Sequence, residues 1–144
     1  MQLRFTEADE KFRGQVSDWL SDNLSGDFAV IRHRGGPGDE HVYVEERKAW
    51  EGRLAEGGWT CIGWPEAWGG KDATIEQQGI FIEDDARAGG PARVGHIGET
   101  LTGPTLLAFG SELQKQRYLP GIRAGKELWC QGYSEPGAGS DLSA

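Results

Sequence analysis

Hydrophobic positions follow the period of an α-helix in the first part of the chain. Apolar residues recur at i, i+4, i+7 and i+8, the spacing of one face of an amphipathic helix. These residues are Phe12, Val16, Trp19 and Leu20. Thr6 followed by Asp9 resembles a capping box, in which the side chains and backbone of the first turn bond each other. The pattern predicts a helix from there to about Leu24.

A second and a third helix are predicted further along the chain. The apolar stripe of the second consists of Tyr43, Trp50 and Leu54. Residues 32–41 before it read as a mobile loop, and the glycine pair at 57–58 ends it. Thr74 and Gln77 resemble another capping box and start the third helix. We expect this helix to bury the stripe Ile75, Gly79, Ile82 and Ala86.

Between these helices, residues 59–70 have the sequence "WTCIGWPEAWGG", which is apolar but broken by glycine and proline. Such a segment cannot keep one regular period, so we expect an irregular stretch packed under the helices. Its three tryptophans indicate a buried corner, and stacking on a ligand is the alternative.

Two more helical segments precede a change of period. Apolar or small residues recur at helical spacing at Ile97, Leu101, Thr105 and Ala108. Pro104 cannot donate a backbone hydrogen bond, so a kinked helix or two short helices are expected, which either line a narrow channel or pack in the core. Ser111 and Gln114 form a third capping box. From 127 to 133 the period becomes two, which predicts a strand.

The expected fold is mainly α. Residues 1–125 form an all-helical domain, and residues 126–144 supply the first strand and a turn of a second, incomplete β-domain. A lone strand has no partner for its backbone N–H and C=O groups. The sequence therefore looks cut inside that second domain.

Composition excludes several classes of function. The 144 residues carry a formal net charge of −8, with 37 % hydrophobic residues and six tryptophans. A basic stripe for nucleic acid is missing, and no apolar run is long enough for a membrane span. The start of the chain is charged and lacks the apolar segment of a signal peptide, so we expect a cytoplasmic protein. Cys61 and Cys130 are expected to be reduced, buried and inert, and the three histidines lack zinc-ligand spacing.

The stretch "YSEPGAGSD" at 133–141 is the main candidate for a catalytic or ligand-binding site. A hydrolase nucleophile turn needs glycine two residues after Ser134, but proline stands there. The dinucleotide pattern lacks its third glycine, and no phosphate-binding Gly-Lys-Ser/Thr follows. Gly137 and Gly139 permit positive φ and bring bare backbone close to a flat or charged ligand. On composition alone, an ordinary glycine-rich turn and the edge of a cofactor site both remain open.

Three ordered motifs carry a resemblance to a known family. They are "GWPEAWGG" at 63–70, "FGSELQKQRYLPGIRAGK" at 109–126 and "YSEPGAGSD" at 133–141. Together they resemble the flavin-dependent acyl-CoA dehydrogenases, and the likeness extends over all 144 residues. The resemblance implies an N-terminal helical domain, a middle β-domain and a C-terminal helical bundle.

The resemblance also implies a reaction, its cofactor and its partners. A carboxylate base removes the α-proton of an acyl-CoA thioester while the β-hydrogen leaves as hydride to FAD, which gives a trans-2-enoyl-CoA. The base belongs to the C-terminal bundle, so no catalytic residue and no metal ligand is expected in this chain. Electron-transfer flavoprotein or a similar acceptor would reoxidise the flavin, and a homo- or hetero-tetramer is expected.

Site residues are transferred by position from the family. The residues expected at the flavin are Gln131, Tyr133, Ser134, Gly139 and Ser140. The residues expected at the acyl-CoA are Leu101, Thr105 and Ser140. The family usually has an aromatic residue at position 131 and an aliphatic one at position 133, so this chain departs from it at both. The "GWPE" corner is similar to members that act on steroid side-chain CoA esters, some of which are hetero-oligomers.

Two other functions stay open at this point. The chain could belong to a non-catalytic helical interaction subunit of a hetero-oligomeric dehydrogenase. An acyl-CoA oxidase or a nitroalkane-oxidising relative is the enzymatic alternative.

Overall fold

The computed structural model describes residues 5–137 and 139, and in this part of the chain the regular structure is helical, without β-strands. The α-helices are α1 (Glu7–Asn23), α2 (Val44–Glu56), α3 (Ile75–Ala88), α4 (Gly103–Phe109) and α5 (Glu112–Arg123). Two 3₁₀ helices cover Gly26–Ile31 and Glu66–Trp68, and a π-helical turn covers Gly98–Thr102. The mainly α fold is therefore confirmed.

Helix α1 begins and ends close to the predicted residues. The Thr6 hydroxyl accepts a hydrogen bond from the Asp9 backbone N–H at 3.2 Å, and the Asp9 carboxylate accepts one from the Thr6 N–H at 2.8 Å. The predicted capping box is therefore present. The same reciprocal arrangement starts α3 and α5, as expected from their sequences.

The main core lies between α1, α2 and α3. Its buried residues are Phe12, Val16, Leu20, Leu24, Ile31, Trp50, Leu54, Trp59, Ile62, Ala73, Ile80 and Phe81. Trp59 stacks on Phe81 with ring centroids 5.8 Å apart and an interplanar angle of 2°. Of the three tryptophans in the corner predicted at residues 59–70, Trp59 and Trp64 are buried, Trp59 in this core, and Trp68 is partly exposed.

A smaller second cluster joins the corner to α5. Its buried residues are Cys61, Trp64, Leu119 and Ile122. Trp129 packs against its edge and meets Tyr118 with ring centroids 5.3 Å apart. This cluster connects the first half of the chain with the segment that carries the glycine-rich motif.

The loop that precedes α2 is irregular, as predicted, and one buried arginine holds it. The Arg47 guanidinium donates hydrogen bonds to the backbone carbonyls of Ala92, Glu40 and Val42 at 2.8–3.3 Å. Because Arg47 is buried, these carbonyls take the place of the water that would otherwise solvate the charge. Arg47 thereby joins the loop to the segment that follows α3.

The predicted stripe of α3 is wrong. Ile75 and Ile82 are 78 % and 68 % exposed, whereas Ile80, Phe81 and Asp84 are buried. Helix α1 lies against this second face, where Asp84 accepts hydrogen bonds from Arg13 at 2.7 Å and from Arg87 at 2.8 Å. Because the buried face includes the charged residue Asp84, a search for apolar residues alone does not identify this face.

The expected disruption at Pro104 takes the form of a π-helical turn. Residues 96–109 form one continuous helical segment, here called the wall helix, in which the turn Gly98–Thr102 is wider than an α-helix. Pro104 lies two residues after the end of this turn, at the second position of α4. Proline cannot donate to a carbonyl one turn back, and a wide turn accommodates both the missing bond and the ring.

The strand predicted at 127–133 does not form, and Cys130 is exposed rather than buried. Among the described residues no neighbouring strand is present to accept its backbone bonds, and an isolated strand is not stable. Cys61 is buried as expected. The proposed domain boundary near residue 125 stays a prediction.

Candidate functional site

A small cavity of about 320 Å³ lies between the wall helix and the segment after α5. It is lined by Ile97, Leu101, Thr102, Thr105, Leu106, Trp129, Cys130, Gln131, Gly132 and Tyr133. Four of the residues that the sequence nominated therefore lie around one space, although 26–32 positions separate the two groups along the chain. None of the described lining side chains carries a formal charge, which suits a hydrocarbon chain or a flat ring.

The other nominated residues lie outside this lining. Ser134 is exposed, and so is Gly139, where an added Cβ would meet no atom within 4 Å. Ser140 lies outside the described residues. Ile97 lines the cavity, in agreement with the channel alternative for its helix stripe. Trp129 also lines the cavity but was missed, because the alternating pattern near residue 129 only indicated a strand.

A larger cavity of about 870 Å³ lies on the opposite side of the wall helix, against α3 and the aromatic corner. Its apolar walls include Ile62, Trp64, Phe81, Ile82, Pro91 and Leu107. Ile82 and Ala86, which the sequence placed in a core stripe, line this cavity instead. The pattern had therefore detected an apolar face that borders a cavity.

Charged side chains also line the larger cavity, among them Arg93 and Glu99. Glu99 accepts a hydrogen bond from the Cys61 backbone N–H at 2.6 Å, and its other oxygen lies 3.5 Å from the Arg93 guanidinium. Burial raises the pKa of the Cys61 thiol, with a smaller contribution from the charge of Glu99. The thiol therefore stays protonated at neutral pH and is a poor nucleophile.

Glu51 fixes the start of the wall helix. Its buried carboxylate accepts hydrogen bonds from the backbone N–H groups of Val94 and Gly95, the latter at 3.1 Å. Burial raises the pKa of this carboxyl, while the bonds from Gly95 and Val94 and the nearby Arg93 oppose that effect. Helix α2 thus supplies a cap to a helix 40 residues later in the chain.

Asp85 lines the larger cavity, and one of its oxygens is buried without a hydrogen-bond partner in the described part of the chain. Burial raises the pKa of this carboxyl, with Arg93 acting against the shift and Glu99 reinforcing it. A carboxyl whose pKa is higher in the folded state stabilises the fold while it is protonated. That contribution is lost as the pH rises through the raised pKa.

We therefore expect Asp85→Asn to raise the free energy of unfolding at pH 7. The gain should shrink as the pH falls toward about 4, the ordinary aspartate pKa, because the wild-type carboxyl is then protonated. Urea unfolding at several pH values measures both effects. Asp18→Asn, on the exposed face of α1, is the matched control. A loss of stability at pH 7 would contradict the assignment of Asp85 as a half-buried carboxyl whose pKa is raised by burial.

Two classes of site are absent from the described residues. No group of three or more His, Cys, Asp or Glu side chains there is arranged to hold a metal ion. None of the helices in residues 5–137 combines the length and the apolar character needed to cross a membrane.

Comparison with known proteins identifies the family. Residues 6–126 match the model of the acyl-CoA dehydrogenase N-terminal domain. The chain belongs to the acyl-CoA dehydrogenase family. It is 56 % identical over 135 residues to acyl-CoA dehydrogenase IpdE1 of Mycobacterium tuberculosis, covering 94 % of this chain and 35 % of that relative. The chain thus spans about a third of the length of this family member.

Solved structures of the family agree with the fold. The ChsE4-ChsE5 complex from Mycobacterium tuberculosis matches with a TM-score of 0.76 and 29 % identity, over 99 % of this chain and 34 % of that one. The Tcur3481-Tcur3483 steroid ACAD matches with a TM-score of 0.76 and 33 % identity, over 99 % of this chain and 35 % of that one. Both family members are two-component assemblies by their descriptions.

Proposed function

We propose that the protein carrying this chain is an FAD-dependent acyl-CoA dehydrogenase that converts an acyl-CoA thioester to its trans-2-enoyl-CoA. The observation that carries the proposal is the small cavity, which brings Leu101 and Thr105 together with Gln131 and Tyr133. The first two were nominated for the acyl group and the last two for the flavin. Family membership supports the same activity.

The described residues fit a flavin and an acyl group at this place. The cavity lining is uncharged, and Trp129, Gln131 and Tyr133 offer aromatic and amide surfaces to a flat ring. The backbone at Gly139 is open to close approach, because a Cβ there has no neighbour within 4 Å. When bound, FAD would accept the hydride that leaves the β-carbon.

This chain's part in the reaction is to bind and orient. Leu101 and Thr105 would enclose the acyl chain and exclude water, and the exposed Ser134 hydroxyl would donate a hydrogen bond toward the pyrimidine end of the ring. Ser140 is proposed to lie near the pyrophosphate and the thioester arm. The α-proton would go to a carboxylate outside this chain, and positioned proton abstraction is worth about 10²–10⁴-fold.

We further propose a bulky, ring-containing acyl group and a hetero-oligomeric assembly, with electron-transfer flavoprotein or a similar protein as the electron acceptor. The steroid ACAD is 33 % identical to this chain over nearly its whole length, and it is a two-component enzyme by its description. The "GWPE" corner at 63–66 supports the same substrate class.

A second candidate is a non-catalytic subunit of such an assembly. It is favoured by the same observation, that two of the matched structures are complexes of two named components. In that case the cavity would complete a site whose catalytic groups lie in the partner.

The test is to express the complete reading frame, alone and together with its neighbouring subunit gene if there is one, and to record the flavin absorbance of each purified protein. Each is then mixed with straight-chain and steroid side-chain CoA esters and an artificial electron acceptor, and enoyl-CoA is measured by mass spectrometry. Bound flavin with enoyl-CoA formation supports the dehydrogenase. In a further variant, every Asp and Glu in the C-terminal bundle of this protein is replaced. If the co-expressed assembly then keeps its flavin and its turnover, the result supports the non-catalytic subunit. Absence of both flavin and turnover in every form contradicts both candidates.

A further inference from the structure

Gly103 lies directly on the indole of Trp64. A Cβ added at Gly103 would overlap the Cζ2 atom of that ring, with Cη2 at 2.5 Å and Cε2 at 2.9 Å. Contacts this short do not occur, so any side chain at position 103 requires either the indole or the wall helix to move. Only glycine permits the present separation between helix and ring.

Trp64 has little freedom to move away. Its side chain is only 5 % exposed and packs in the second cluster with Leu119 and Ile122. Its backbone N–H donates to the Cys61 carbonyl at 2.9 Å, and its own carbonyl accepts from the Asp72 N–H at 3.0 Å. Close packing resists a displacement of the ring into this cluster. Trp64 also lines the larger cavity, but its two backbone hydrogen bonds hold its backbone in place, and we therefore assign the shift to the wall helix.

The direction of that shift follows from helix geometry. Leu101 and Thr105 each lie two residues from Gly103, which is roughly 200° around a helix. They therefore occupy the face opposite to Gly103, and both line the small cavity. Moving the wall helix away from Trp64 moves these two side chains toward Gln131 and Tyr133 and narrows the cavity.

We propose that the contact between Gly103 and Trp64 sets the width of the small cavity and thereby the size of acyl group that the enzyme accepts. The inference rests on the proposed function, because it assumes that the acyl group occupies this cavity. Gly103 touches neither substrate nor flavin in this account. It is a positioning residue that acts through the wall helix.

The test uses the complete flavoprotein with Gly103→Ala. Relative to wild type, kcat/KM for a steroid side-chain CoA ester should fall at least about tenfold, mainly through KM, the scale on which one methylene group changes discrimination. For a four-carbon acyl-CoA the change should stay within about threefold, because the narrowed cavity still admits it. Adding Trp64→Leu to Gly103→Ala should restore much of the wild-type ratio between the kcat/KM values for the two esters, because it removes the ring that the new methyl group meets.

The matched control is Gly79→Ala, a helical glycine of α3 where an added Cβ meets nothing within 4 Å. It should leave the ratio of the two specificities unchanged. If Gly103→Ala lowers both specificities equally, or if Trp64→Leu does not restore the ratio, the assignment is overturned. Should Gly103→Ala not accumulate, Trp64→Leu alone is decisive: it must shift the preference toward bulkier esters.

A crystal structure of the variant separates this inference from the proposed function. The distance between the Thr105 and Gln131 Cα atoms should be shorter than in wild type by about 1.5–2 Å, because the added Cβ must move from its overlap with the indole to an ordinary carbon–carbon contact of about 3.5 Å. An unchanged distance would refute the inference even in an active enzyme. A wild-type protein that oxidises no acyl-CoA would refute the proposed function, whatever the distance.

Discussion

Replacing Trp50 with alanine should lower the free energy of unfolding by about 3–5 kcal/mol, the usual cost of deleting a large buried aromatic side chain. Trp50 is 0 % exposed and lies in the middle of the main core. Its ring centroid is 5.6 Å from that of Trp19 on α1 and 5.3 Å from that of Phe28 in the first 3₁₀ helix. Alanine at this position would therefore remove the contacts that α2 makes with both α1 and the first 3₁₀ helix.

Urea unfolding followed by far-UV circular dichroism measures this loss. Leu113→Ala is the control, because Leu113 is 79 % exposed and its truncation should change stability by no more than about 0.5 kcal/mol. Trp50→Phe should cost less than Trp50→Ala, since it keeps most of the volume and removes a buried indole N–H that has no partner in the described residues. A cost for Trp50→Ala below about 1 kcal/mol would contradict the core described above.

Local signals in the sequence predicted helix starts correctly. Thr6, Thr74 and Ser111 each cap a helix, and each does so with a residue only three positions away. Such an interaction is complete within one turn and does not depend on the rest of the fold. This is why the starts of α1, α3 and α5 agree with the sequence while other features do not.

Features that depend on distant partners were predicted less well. The buried face of α3 includes Asp84, whose burial depends on Arg13 from another helix, and no local pattern reveals that pairing. The strand at 127–133 needs a neighbouring strand that the described residues do not contain. An alternating pattern is compatible with a strand but does not require one, and contacts with the rest of the fold decide whether the strand forms.

The candidate site shows the same division. Leu101, Thr105, Gln131 and Tyr133 were nominated through a resemblance, and the structure places all four around one cavity. That grouping is a result of folding, because helix α5 returns the chain to the wall helix. The larger cavity beyond that helix had no signal in the sequence other than an apolar stripe assigned to the core.

On the proposed function, Ser134→Ala in the protein that carries this chain should lower turnover by on the order of 10²-fold. A hydroxyl directed at the ring would stabilise charge that develops as hydride arrives, and losing one donor of this kind commonly costs about 2.7–4 kcal/mol in the transition state. KM should change little, since the interaction strengthens only as the reaction proceeds. Ser134 is exposed, so its truncation should leave stability within about 0.5 kcal/mol.

That separation between turnover and stability makes the experiment decisive. Stopped-flow reduction of the flavin by substrate measures the hydride step directly, and Ser17→Ala, an exposed serine on α1, serves as the control for a lost hydroxyl. A slower reduction step with unchanged unfolding and unchanged flavin content supports a hydrogen bond to the ring. Equal reduction rates in variant and wild type would show that Ser134 only completes a turn, and the proposed flavin contacts would then rest on Gln131 and Tyr133.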